Sequence, residues 1–149
     1  MLIRLFWIVL IFLLSPAAAA FPQNPKKIPV AVFHRGDDQV GQQVAFALKE
    51  AIRRSQSFRY VDWDRNANTA RIVVYLVSVG SQGVSSAISQ VIVYDDKSIA
   101  APGIFLYSAV SQCGRDKTEW CANAILPDID QAVESLRTGP WSHLWTKLF

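Results

Sequence analysis

Residues 71–79, RIVVYLVSV, run into GSQG at residues 80–83 and then into VSSAISQVIVY at residues 84–94, and these three pieces decide how the domain is built. The first run is apolar at both alternating sets of positions, the pattern of a central strand covered on both faces. Gly80 to Gly83 is a turn, and residues 84–94 continue as a long strand whose strongest part is ISQVIVY. Asp95-Asp96-Lys97-Ser98 turns the chain again, and residues 104–111, IFLYSAVS, make a further strand. Three consecutive strands joined by short turns predict an antiparallel meander.

Upstream, residues 28–34, IPVAVFH, form a short β-rich run that ends at Arg35-Gly36. Asp37 or Asp38 then stands where a helix N-cap belongs, since a carboxylate accepts the orphan amide hydrogens of a first turn. Val40, Val44, Leu48 and Ile52 recur every four residues, with Gln42, Gln43, Lys49, Arg53 and Arg54 on the other side, so an amphipathic helix of about four turns follows. Residues 58–62 alternate like a short strand, and residues 63–70, WDRNANTA, are a polar loop.

Downstream, a second helix is expected to begin near residues 116–118 and to carry Cys121 in its first turns. Pro127 lacks an amide hydrogen, so either the helix kinks there or Pro127 opens a new helix that runs to Leu136 and stops at Gly139-Pro140. The order β-α-β-β-β-β-α predicts an α+β domain: a mostly antiparallel sheet of about five strands with two helices packed on one face.

The other end of the chain has the features of a cleavable signal peptide over residues 1–20. Arg4 precedes the unbroken apolar run LFWIVLIFLL at residues 5–14, and Ser15-Pro16 leads into four alanines. The run is about half the 20 or so residues that a spanning helix requires. Residues 21–29 read as an extended lead-in, residues 30–139 as a single domain, and residues 140–149 as an apolar, Trp-rich tail. Loss of Arg4 leaves 14 of the 15 Lys and Arg residues against 12 Asp and Glu, a net charge of about +2 with the bases scattered. That is no electrostatic footprint for nucleic acid.

Export makes the two cysteines informative. Cys113 and Cys121 enclose Gly-Arg-Asp-Lys-Thr-Glu-Trp, and in an oxidising compartment such a pair forms a disulfide. Closing so short a loop contributes roughly 2 to 3 kcal/mol. The pair matches no CxxC motif and lacks the partners of a zinc site, and no cofactor is implied. A periplasmic or secreted location agrees with the absence of any Asn-x-Ser/Thr acceptor.

Between Val30 and Asp96 the chain resembles a bacterial envelope module, the amino-terminal domain of TolB and the CsgG-like lipoproteins. The resemblance is carried by Ala47-Leu48, Ala51-Ile52, Ser55, Phe58, Val61 and Asp62, followed by Ala70-Arg71-Ile72-Val73-Val74. It implies a protein-binding part of an envelope machine that does no chemistry. No propeller segment follows the module here, and neither a lipidated cysteine nor membrane-inserting hairpins are in evidence, so neither machine's activity carries over.

Among chemistry-bearing residues, His34 with Asp37 and Asp38 is the best acid/base cluster, at a strand end that feeds a helix start. The plainer reading has one aspartate capping the helix and His34 at a solvated strand end. Asp62, Asp64, Asp95 and Asp96 lie in turns, where aspartate satisfies the backbone. Tyr75, Tyr94, Phe105 and Tyr107 lie on adjacent strands, and those that face away from the helices would make a platform for a partner. In the tail, Trp141, Leu144, Trp145, Leu148 and Phe149 fall on one stripe of a helix. That stripe would dock in a partner, touch a membrane surface or complete the domain's own core. These residues point to an exported, non-enzymatic accessory protein whose partner is another envelope or secreted protein. A small secreted enzyme using His34 and Asp37/Asp38, or a secreted enzyme inhibitor, is the alternative.

Overall fold

The computed structural model describes residues 26–64, 68–99 and 103–149; the expected leader and most of the lead-in lie outside them. The chain runs β1 (Ile28–Arg35), α1 (Gln39–Arg54), β2 (Phe58–Tyr60), β3 (Arg71–Ser81), β4 (Ser85–Asp95), β5 (Ile104–Gly114), a 3-10 turn (Arg115–Lys117), α2 (Thr118–Thr138) and a 3-10 helix (Ser142–Leu148). One five-stranded sheet has the order β2-β1-β3-β4-β5, and both helices lie on one face of it. The architecture is the α+β arrangement that the element order predicts.

The meander β3-β4-β5 is antiparallel, whereas β1 runs parallel to both its neighbours, β2 and β3. The sheet is therefore mixed. A helix between β1 and β2 brings the chain back to its starting edge, which makes the next strand parallel, while tight turns reverse direction. At the β3–β4 turn Gln82 and Gly83 have φ of 48° and 71°, and the Val84 amide donates to the Ser81 carbonyl at 3.0 Å.

Strand parity sorts the core. Val30, Val32, Ile72, Val74, Leu76, Ile88, Ile92 and Tyr94 are buried under the helices, against Val44, Leu48 and Ile52 of α1 and Ile125, Ile129 and Leu136 of α2. Pro127 neither ends nor divides α2; its ring lies on the solvent side, so the carbonyl it leaves unpaired faces water. Cys113 at the end of β5 is disulfide-bonded to Cys121 in the first turn of α2, with Cα atoms 6.1 Å apart. No helix among the described residues is long and apolar enough to cross a membrane.

The tail is a 3-10 helix folded back on the domain, not an α-helical stripe. Leu144 and Leu148 are buried in the main core and Trp145 packs against it, while Trp141 and Phe149 stay exposed. Three residues per turn aim leucines four apart differently from an α-helix, so the apolar stripe divides between core and surface. Lys147 anchors the turn to β4's end, 3.4 Å from Asp96 Oδ2 and 3.0 Å from Ser98 Oγ.

Candidate functional site

Two regions answer to the residues singled out from the sequence: the polar cluster at the start of α1, and the sheet face that the helices leave open.

At the first, Asp38 is the N-cap, its Oδ1 accepting from the Gly41 amide at 2.6 Å, and Asp37 is exposed. His34 meets not an aspartate but Ser78 of β3, with Nε2 2.8 Å from the hydroxyl oxygen. Ser78 was not apparent as a partner, although it is the polar interruption in the inward series Ile72, Val74, Leu76. The Ser78 hydroxyl donates toward the Asp38 carboxylate, which leaves its oxygen to accept from the Nε2–H tautomer of His34. Burial by itself raises the Asp38 carboxyl, but the hydroxyls of Ser78 and Ser86 and the Gly41 amide outweigh it and hold it below the usual carboxylate value.

The serine of this cluster is closed off, while His34 and Asp38 stay half-buried. Ser78 is 5% exposed, and a Cβ on Gly36 or Gly41 would overlap its hydroxyl, while one on Gly80 would press on Asp38. Glycine is required at Gly36 also because its φ is +153°. A nucleophile must have a substrate carbonyl within about 3 Å, and here that space is filled by the backbone of α1 and of the β1–α1 link. What this arrangement does is clasp the end of β1, the start of α1 and the end of β3.

Burial lowers the His34 imidazole below 6.5, helped by Lys49 and opposed by Asp38. A group whose folded value is depressed costs stability as pH falls, because the unfolded chain takes up the proton first. Thermal stability is therefore expected to decline from pH 6.5 downwards, and His34→Gln, which keeps a donor toward Ser78, removes part of that decline. Melting curves of the two proteins at pH 7 and pH 5 check this; equal pH slopes would contradict it.

At the second region residues 61–64, which follow β2, lie on the open face. Val61 and Trp63 pack over Ala31, Val73 and Val93, and Trp63 makes a tilted contact with Phe33 and an edge contact with Tyr75, centroids 5.6 and 5.5 Å away. Arg71, 2% exposed, holds this segment down: Nε and Nη2 donate to Asp95 Oδ2 at 3.1 and 3.0 Å, Nη2 also donates to the Asp64 carbonyl, and the guanidinium lies 5.0 Å from the Trp63 ring centre.

The rest of the face is uncovered by described residues. Register places Val77 beside Ser89 and Ser89 beside Val110 in one row, and Val79 beside Ala87 and Gln112 in the next. Val77, Val79 and Val110 are 49%, 69% and 77% exposed, and Phe105 is 62% exposed at the strand edge. Of the tyrosines singled out as a platform, Tyr75 lies on this face within the ring cluster. Tyr94 does not: it points under the helices, fully buried, and its hydroxyl donates to Asp96 Oδ2 at 3.0 Å. Tyr107 also faces the helices, where its hydroxyl bonds Asp128 of α2. Each stands at a position whose parity turns it to the helix side.

Among the described residues no group of three or more His, Cys, Asp and Glu side chains is placed to hold a metal ion. The fold and these two regions define a single-sheet α+β domain with one helix-covered face and one that the described residues leave largely bare. The chain matches no protein-family model, and no curated protein matches it.

Proposed function

We propose that this is an exported, non-enzymatic accessory protein that works by binding another envelope or secreted protein through the open face of its sheet. The observation that carries this is the set of exposed valines Val77, Val79 and Val110, on two neighbouring rows of a face whose other part is already ordered by Trp63 and Arg71. Clustered exposed apolar side chains of this kind mark contact sites, and a rigid sheet loses little entropy on binding. The resemblance to the TolB amino-terminal domain and the CsgG-like module supports the same reading, as does the signal-like leader. The burial of Ser78 weighs against a serine nucleophile there.

Val79→Glu tests it, because an exposed substitution of this kind shifts stability by no more than about 0.5 kcal/mol. Captured from envelope extracts, a partner is expected with the wild type and is lost with Val79→Glu at unchanged melting temperature. The same proteins retained by both, or turnover in an activity screen that survives the substitution, would count against the proposal.

A further inference from the structure

β5 closes one side of the sheet, so its outward amides and carbonyls meet no described strand. Folded proteins guard such edges with short strands, charge, proline or bulges, because a bare edge accepts another strand. The opposite edge is guarded: β2 has three residues with the exposed Arg59 at its centre. β5 has eleven, IFLYSAVSQCG, without a charge or a proline. One bulge interrupts it, at Leu106 between the pairs Phe105↔Val93 and Tyr107↔Ile92. From Tyr107 to Gly114 the strand is regular and unguarded.

We propose that this regular part of β5 pairs antiparallel with β5 of a second copy about a two-fold axis at Val110, joining two sheets into one. A two-fold axis sets the residue on it against its own counterpart and its near neighbours close to theirs, so a charge near the axis would meet its like. An uncharged strand has no such conflict in any register, which is why a second copy suits this edge. With the axis at Val110, that valine meets itself and Ser108 meets Gln112 on the open face, while Ala109 meets Ser111 on the opposite face. Val110 has the highest exposure among the large apolar side chains described, and this pairing covers it. The mixed charges Arg115-Asp116-Lys117 fall beyond the paired segment, opposite uncharged residues. The pairing shares Val110 with the face proposed above for a partner, but Val79 lies outside it, so capture by the Val79→Glu variant and sedimentation of the purified protein read the two proposals separately.

Sedimentation velocity of the purified protein from about 1 to about 500 µM, the range expected of a small interface, tests the pairing. The wild type is expected to approach twice the monomer mass. Val110→Lys and Val110→Glu are each expected to stay monomeric with unchanged circular dichroism, and their equimolar mixture to regain the double mass as Lys faces Glu. Amides of β5 should gain protection from hydrogen exchange as concentration rises, a readout that needs no variant. A wild type that stays monomeric, a dimer that both variants leave intact, a mixture that stays monomeric, or β5 protection independent of concentration overturns the proposal.

Discussion

Replacing Asp95 with alanine is expected to lower the free energy of unfolding by about 3 to 5 kcal/mol, the usual cost of leaving a buried charge without its partner. Arg71 is among the largest fully buried side chains of the molecule, and Asp95 is its only ion-pair partner among the described residues. Without that carboxylate the guanidinium keeps the neutral Asp64 carbonyl and the Trp63 ring, which cannot compensate for lost hydration. The covering of Ala31, Val73 and Val93 then loosens, because Arg71 is what ties the β2–β3 connection to the sheet. Removing the pair together has a different sign: Arg71→Met with Asp95→Ala replaces ions by apolar volume and is expected to regain at least half of the loss. Urea unfolding of the single and double variants checks both statements. A single variant within about 1 kcal/mol of wild type would show that the pair behaves as an exposed one.

Removing residues 140–149 is expected to have an effect at least as large. Leu144 and Leu148 are buried and Trp145 leans on the same core, so the truncation opens the surface of α2 beneath them. Truncating one buried leucine costs about 2 to 5 kcal/mol, and two of them approach the 5 to 15 kcal/mol that holds a typical domain together. The truncated chain should lose its cooperative thermal transition. Leu144→Ala alone should lower stability by about 2 to 4 kcal/mol, whereas Trp141→Ala, at an exposed ring, should change it by less than about 1 kcal/mol. A truncated protein with an unchanged transition would mean that the tail does not contribute to the core. Because the leucines face inward, the apolar tail surface left for a partner or a membrane is Trp141, Phe149 and the outer edge of Trp145.

The local periods were readable without the fold. A repeat of four from Val40 to Ile52 and the aspartate before it specify α1 and its cap, since both depend only on spacing along one helix. The disulfide was equally legible, because eight residues of separation leave few alternatives. The aromatic platform was half legible. Tyrosines on neighbouring strands can be read from sequence, but the face each takes depends on register and on the bulge at Leu106, which reverses parity along β5. That sent Tyr94 and Tyr107 under the helices and left Tyr75 and Phe105 on the open side.

Contacts between distant residues were not legible. Ser78 lies 44 positions from His34, and Asp95 lies 24 from Arg71. Neither pair has a local spacing that announces it, because the parallel placing of β3 beside β1 and the β3–β4 register bring them together. What the sequence by itself determined is the set of elements, their order and their caps, since hydrophobic period, proline and glycine act within a few residues. Only the tertiary structure decided which face each strand residue shows, that the sheet is mixed, and that the Trp-rich tail turns its leucines inward, because burial is settled by which surfaces meet.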